Sequence, residues 1–139
     1  MTDPVPPRNS AMAVAASALK AQQSRMRVIA ENIANAESTA PVEGGDPYRR
    51  RVPVFETRAI DGASGVELAR VREDLGDFRL DYEPGHPAAD EDGYVRRPNV
   101  NSLIESMDMR EAQRAYEANL NVIETARAMD QRILELLRK

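Results

Sequence analysis

The placement of helix breakers constrains this chain more than any other feature. All seven glycines fall between Gly44 and Gly93, and the nine prolines occupy only positions 4–7 and 41–98. Residues 8–40 and 99–139 hold neither. Glycine disfavours a helix through its excess backbone freedom, and proline through its missing amide proton and fixed ring. Two uninterrupted arms therefore flank an interrupted middle, and only the arms can form long helices.

The first arm follows a seven-residue frame. Met12, Leu19, Met26 and Ile33 recur at one position, and Ala15, Gln22, Ile29 and Ala36 at the position three later. This spacing predicts a helical seam from Ser10 to Ala36, about 40 Å long at 1.5 Å per residue. Ser10 is the expected N-cap, and Asn35 the expected end, since Asn tolerates left-handed backbone there. The stretch "VIAENIANAESTAP" (28–41) places two carboxamides, Asn32 and Asn35, on or beside the apolar stripe.

The second arm begins after Pro98, and Ser102 with Glu105 fits an S-x-x-E capping box. Met109, Tyr116, Ile123 and Leu137 share one heptad position, interrupted by Asp130. Ala112, Asn119, Ala126 and Ile133 share the next, and Ala115, Val122, Met129 and Leu136 form a third row beside them. So broad an apolar face predicts contact with more than one neighbouring helix. Asn119 falls within the seam, where a buried amide lowers stability and selects register and partner.

Little material remains for a private core. The chain has four Tyr, two Phe and no Trp, and much of its 42% hydrophobic content is alanine. Alanine buries little area, so stabilisation at about 25 cal/mol per Å² stays small. The apolar rows are therefore expected to find cover in other subunits, with ordering coupled to assembly.

The middle reads as short strands and turns. "YRRRVPVFE" (48–56) suits an edge strand, because Pro53 lacks a ladder donor. "DFRLDY" (77–82) alternates, with Phe78, Leu80 and Tyr82 on one face. "EPGHP" and "EDG" are turns.

Candidate chemistry is sparse. The single histidine, His86, lies near Asp90, Glu91 and Asp92, but no second His or Cys accompanies it and the acids lack calcium-loop order. No phosphate-cradling glycine loop or nucleophile motif is present. An enzyme, a metal site and a cofactor are not expected. A net charge of −4 gives no basic footprint for nucleic acid, and the arginines of "YRRR" are flanked by Asp46 and Glu56. The first residues lack the basic and apolar regions of a secretory signal, and no apolar run approaches the roughly 20 residues of a membrane span.

The fold expected is mainly α. A leader (1–9), an N-terminal helix (10–37) and a C-terminal helix (99–139) enclose a β-hairpin or irregular middle (38–98), and the helices pair in a coiled-coil-like domain. The expected subunit interface comprises Leu19, Met26, Ile29, Asn32, Ile33, Asn35, Tyr116, Asn119, Ile123, Ala126, Met129 and Ile133. On the residues alone, a cytoplasmic helical adaptor acting by coiled-coil pairing is an alternative to an assembling structural subunit.

Two blocks carry a resemblance. "SALKAQQSRMRVIAENIANAEST", with "IANA" at its heart, resembles the N-terminal signature of the bacterial flagellar rod and hook axial proteins. "YEPGHPAADEDGYVRRPNVN", followed by "MDMREAQRAYEANLNVIETARAM", is similar to the proximal rod member of that family. The resemblance implies a structural subunit that leaves through the flagellar type III export apparatus without signal cleavage. It implies polymerisation with copies of itself and other rod proteins into the drive shaft that carries torque from motor to hook. It also places Ile33–Ala36 and Tyr116–Val122 in an inner helical domain, with Asp46–Arg50 and Pro84–Pro87 between the helices.

Overall fold

The structure is a computed structural model that describes the backbone of residues 8–139 and the side chains of residues 10–139. In chain order the elements are α1 (Arg8–Ala34), β1 (Arg51–Ile60), β2 (Ala63–Glu73), β3 (Arg79–Tyr82), β4 (Tyr94–Arg97) and α2 (Ser102–Leu137). The expected leader lies outside the described residues except for Arg8 and Asn9, which open α1.

The two breaker-free arms are the two helices, and they run antiparallel. Asn32, near the end of α1, touches Glu105 in the first turn of α2. One stretch further along, Arg25 reaches Glu111 at 3.5 Å. At the far end, Ala11 and Met12 share a cleft with Ala126, Met129 and Ile133. Ala112 is fully buried beneath α1, where only a small side chain lets the backbones approach.

The helix ends differ from the sequence expectation in three respects. Ser10 is a buried residue inside α1 and not its N-cap. Asn35 closes α1 without left-handed backbone: its carboxamide donates to Glu31 O at 2.9 Å, and its carbonyl accepts from the Ser38 hydroxyl at 2.8 Å. The N-cap of α2 is Asn101, whose side chain accepts from the amides of Leu103 and Ile104. Glu105 forms no capping box because its carboxylate is turned inward.

Between the helices lie two separate two-stranded antiparallel sheets, β1–β2 and β3–β4. The first is a hairpin of ten and eleven residues, longer than the strand fragment expected. Its turn is Asp61–Gly62, with φ of 47° and 80°, the positive pair that two-residue hairpins require. "DG" between Ile60 and Ala63 was the available signal. The pairing shifts register between Val54 and Phe55, a bulge that adds twist. Because β1 pairs on one side only, Pro53 leaves no ladder bond unmade.

The hairpin lies on α1 through a close approach. Ser17 Oγ donates to Val14 O at 2.7 Å and accepts from the Val66 amide at 3.2 Å. Gly65 is buried there, and a Cβ on it would collide with Ile60 and stand 2.9 Å from Ser17 Oγ. The second ladder covers a small apolar cluster of Ala88, Ala89 and Val95. Its Leu80 and Tyr82 share a face as the alternation predicts, but that face points to solvent, where Tyr82 meets Tyr94 edge-on at 5.2 Å.

Candidate subunit interface

A polar junction holds the two helices and the hairpin in one arrangement. Asn32 is 1% exposed and uses its full hydrogen-bonding capacity. Its Nδ2 donates to Arg51 O at 2.8 Å and to Glu105 Oε2 at 3.2 Å. Its Oδ1 accepts from the Tyr48 hydroxyl at 2.8 Å and the Arg51 amide at 2.9 Å. One carboxamide thus pairs with both backbone groups of the first residue of β1 and ties α1 to α2.

Glu105, also 1% exposed, accepts on its other oxygen from Arg50 Nε. The guanidinium lies 3.6 Å from Asp74 and 3.9 Å from Asp108. Asn99 completes the set, accepting from the Arg50 amide at 2.8 Å and donating to Asp74 O at 2.9 Å. Burial lowers the proton affinity of Arg50, but the hydrogen bond to Glu105 and the charges of Glu105, Asp74 and Asp108 outweigh it and raise the pKa. Burial also pushes the Tyr48 phenol upward, opposed by Arg51 and reinforced by Glu31 and Glu105. The remaining arginine of "YRRR", Arg49, stacks on Phe78 at 4.2 Å. These three cations are used within the fold.

The twelve expected interface positions fall into three groups. Ile29 and Asn32 are buried by the chain's own residues. Leu19, Met26, Ile33, Asn35, Tyr116, Asn119, Ile123, Ala126 and Ile133 are half-buried, and Met129 is exposed. Asn119 makes no cross-helix bond; its carboxamide donates to Ala115 O of its own helix at 2.8 Å. Register between the helices is therefore carried by Asn32 and Glu105, a role the sequence pattern did not assign to Glu105.

Outside the pair, α2 presents an uncovered flank. Val122, Met129 and Leu136 are 53%, 58% and 70% exposed. They belong to the third apolar row, which runs along the edge of the α1 contact: Met129 also lines the cleft with Ala11 and Met12, while Val122 and Leu136 are left largely bare. His86 serves a turn: its Nδ1 accepts from the Ala88 amide at 3.0 Å. Asp90 closes the next turn by accepting from the amides of Asp92 and Tyr94. Among the described residues no cluster of His, Cys, Asp and Glu could hold a metal ion, and no helix is long and apolar enough to cross a membrane.

Two family models match the helical ends. "Flagella basal body rod protein" covers residues 12–40, and "Flagellar basal body rod FlgEFG protein C-terminal" covers residues 91–136. The flagellar basal-body rod protein FlgC of Agrobacterium fabrum is 47% identical over 135 residues, 95% of this chain and 96% of the relative. The chain belongs to the FlgC family of flagellar basal-body rod proteins. FlgC of Escherichia coli O157:H7 is 42% identical over 88% of this chain and 92% of its own length. FlgC of Bacillus subtilis is 35% identical, covering 88% and 93%. The first matched block holds α1 from Met12 onward, with Asn32, and the second holds β4 and α2 to Leu136, with Glu105. The β1–β2 hairpin lies between them.

Proposed function

We propose that this chain is a structural subunit of the flagellar proximal rod, polymerising helically with copies of itself and with other rod proteins into the shaft that carries torque from motor to hook. It travels through the flagellar type III export apparatus, keeps its N-terminus, and works in the periplasmic part of the basal body. It acts by contact and not by catalysis. The observation that carries this reading is the outward apolar row of α2, left bare by a chain whose family forms rods. A shaft must pass torque between subunits, and a helix with apolar residues on two sides can hold its partner helix and a neighbour at once.

Of the expected interface positions, Met129 supplies contact area directly. The half-buried positions on both helices shape the edges of the same surface, and Ile29 and Asn32 support it from within. The adaptor alternative has no support from family membership. The test is localisation: the chain copurifies with intact basal bodies, and its deletion abolishes rod assembly and swimming. A chain that stays in the cytoplasm, with rods forming normally without it, would overturn this function.

A further inference from the structure

Between α1 and the hairpin lies an open cleft of about 400 Å³ beside the outer edge of β2. One wall is a row on α1, Lys20, Ser24 and Arg27, whose spacings of four and three residues put them on one helix face. Lys20 and Arg27 form no ion pair, and the Ser24 hydroxyl no hydrogen bond, among the described residues. The single acid in the lining, Glu67, is held by Arg58 at 3.0 Å. Ala21 and Ile60 add apolar surface. The cleft thus carries two uncommitted cations in a chain whose net charge is −4.

The opposite wall is an unfinished ladder. β2 pairs with β1 alone, and the Val66 amide points out of that ladder to reach Ser17 Oγ at 3.2 Å. Antiparallel pairing alternates, so Leu68, two residues on and still in register through Phe55, turns its amide and carbonyl to the same outer edge. Neither Leu68 group nor the Val66 carbonyl is bonded among the described residues. An edge of this kind accepts an added strand. Ser17 ties α1 to the edge, and the cleft opens beside that tie.

We infer that this cleft receives an extended, acidic segment of another protein, which adds to the edge of β2 and sets its carboxylates against Lys20 and Arg27. The bare backbone selects an extended chain, and the cations select its charge. Lys20 and Arg27 stand about 10 Å apart along the helix axis at 1.5 Å per residue, a spacing that matches carboxylates spread along a strand better than one small anion. A second copy does not supply the complement: β1 and β4 are net cationic, and β2 and β3 hold as many bases as acids. The site also differs from the rod contact proposed above, which sets helix against helix along α2.

The test follows individual amides of the purified, isotope-labelled full chain while a fluorescein-tagged hexapeptide alternating glutamate and valine is titrated in. Fluorescence anisotropy is expected to show saturable binding that weakens with salt. At saturation the Leu68 amide is expected to exchange about tenfold more slowly. A lysine–valine hexapeptide, and a glutamate–valine hexapeptide methylated on its backbone nitrogens, are each expected to bind about tenfold more weakly. Lys20→Glu with Arg27→Glu is expected to reverse the charge preference, and unchanged circular dichroism would assign that reversal to the cleft and not to unfolding. Any of several results overturns the inference: no saturable binding, equal binding of the two charges, indifference to backbone methylation, or binding without added protection at Leu68. Each leaves the rod reading standing, because the measurement involves no basal body.

Discussion

Asn32 explains why a polar amide stands beside an apolar stripe. Its four hydrogen bonds join the end of α1, the entry to β1 and the first turn of α2. Removing it orphans several buried groups, each at a cost of about 1–3 kcal/mol. Asn32→Ala is expected to lower unfolding stability by about 3 kcal/mol, read from urea denaturation. Asn119→Leu provides the contrast, because that amide bonds only to its own helix; it is expected to leave stability unchanged or raise it by under about 1 kcal/mol. A large loss at Asn119 with none at Asn32 would reverse the assignment of register. Tyr48 adds a pH signature. Its phenol pKa is raised, so the folded state holds the proton more tightly than the unfolded chain does. That stability is complete below the unfolded value of about 10 and disappears as pH rises through the folded value. The phenolate absorbance is expected to show a late alkaline phase coincident with unfolding, and Tyr48→Phe removes that phase.

At the scale of elements, the helices were legible and most of the middle was not. A helix announces itself through a repeat sustained over many residues, and the breaker-free arms from Met12 to Ile33 and from Met109 to Ile133 have room for one. The hairpin carries no such repeat: the β2 sequence "ASGVELARVRE" alternates poorly because both of its faces are largely exposed. Its plainest local sign is two residues, Asp61 and Gly62. Glu105 was misread for a related reason. S-x-x-E is a local pattern, whereas the groups that draw Glu105 inward, Arg50 and Asn32, lie 55 and 73 residues away. Gly62 and Gly65 separate turn formation from docking. Nothing lies within 4 Å of a Cβ placed on Gly62, while one on Gly65 meets Ile60 and Ser17. Gly62→Ala is expected to cost about 1–2 kcal/mol through backbone strain alone. Gly65→Val is expected to lift the hairpin from α1, seen as faster amide exchange at Val66, whose hydrogen bond to Ser17 is broken. Equal protection at Val66 in the variant and the parent would show that the hairpin does not depend on this contact.

For the whole molecule, the question is which apolar surfaces serve the fold and which serve the assembly. Alanine supplies three of the five buried apolar positions along the helix pair, Ala15, Ala21 and Ala112, beside Val28 and Ile29. Small side chains bring helices close but bury limited area, so larger residues such as Val122, Met129 and Leu136 are better used where neighbours add to the surface they cover. This division yields opposite expectations for two kinds of substitution. Ala112 has no accessible surface, and Ala112→Leu forces extra volume between the helices at a cost of about 1–3 kcal/mol. It is expected to lower the melting temperature of the isolated chain and, through that, its incorporation into rods. Val122→Asp and Met129→Asp change residues that are already more than half exposed. They are expected to leave the monomer's helix content and melting temperature within error of the parent, because surface substitutions away from special features shift stability by less than about 0.5 kcal/mol. In an assembled rod the same carboxylates would be buried without partners, a state that strongly disfavours association. The double variant is therefore expected to fold yet fail to enter basal bodies. Circular dichroism and basal-body blotting of the same variants decide the matter. A variant that folds, enters the rod and supports normal swimming would show that the outward row of α2 faces no neighbour.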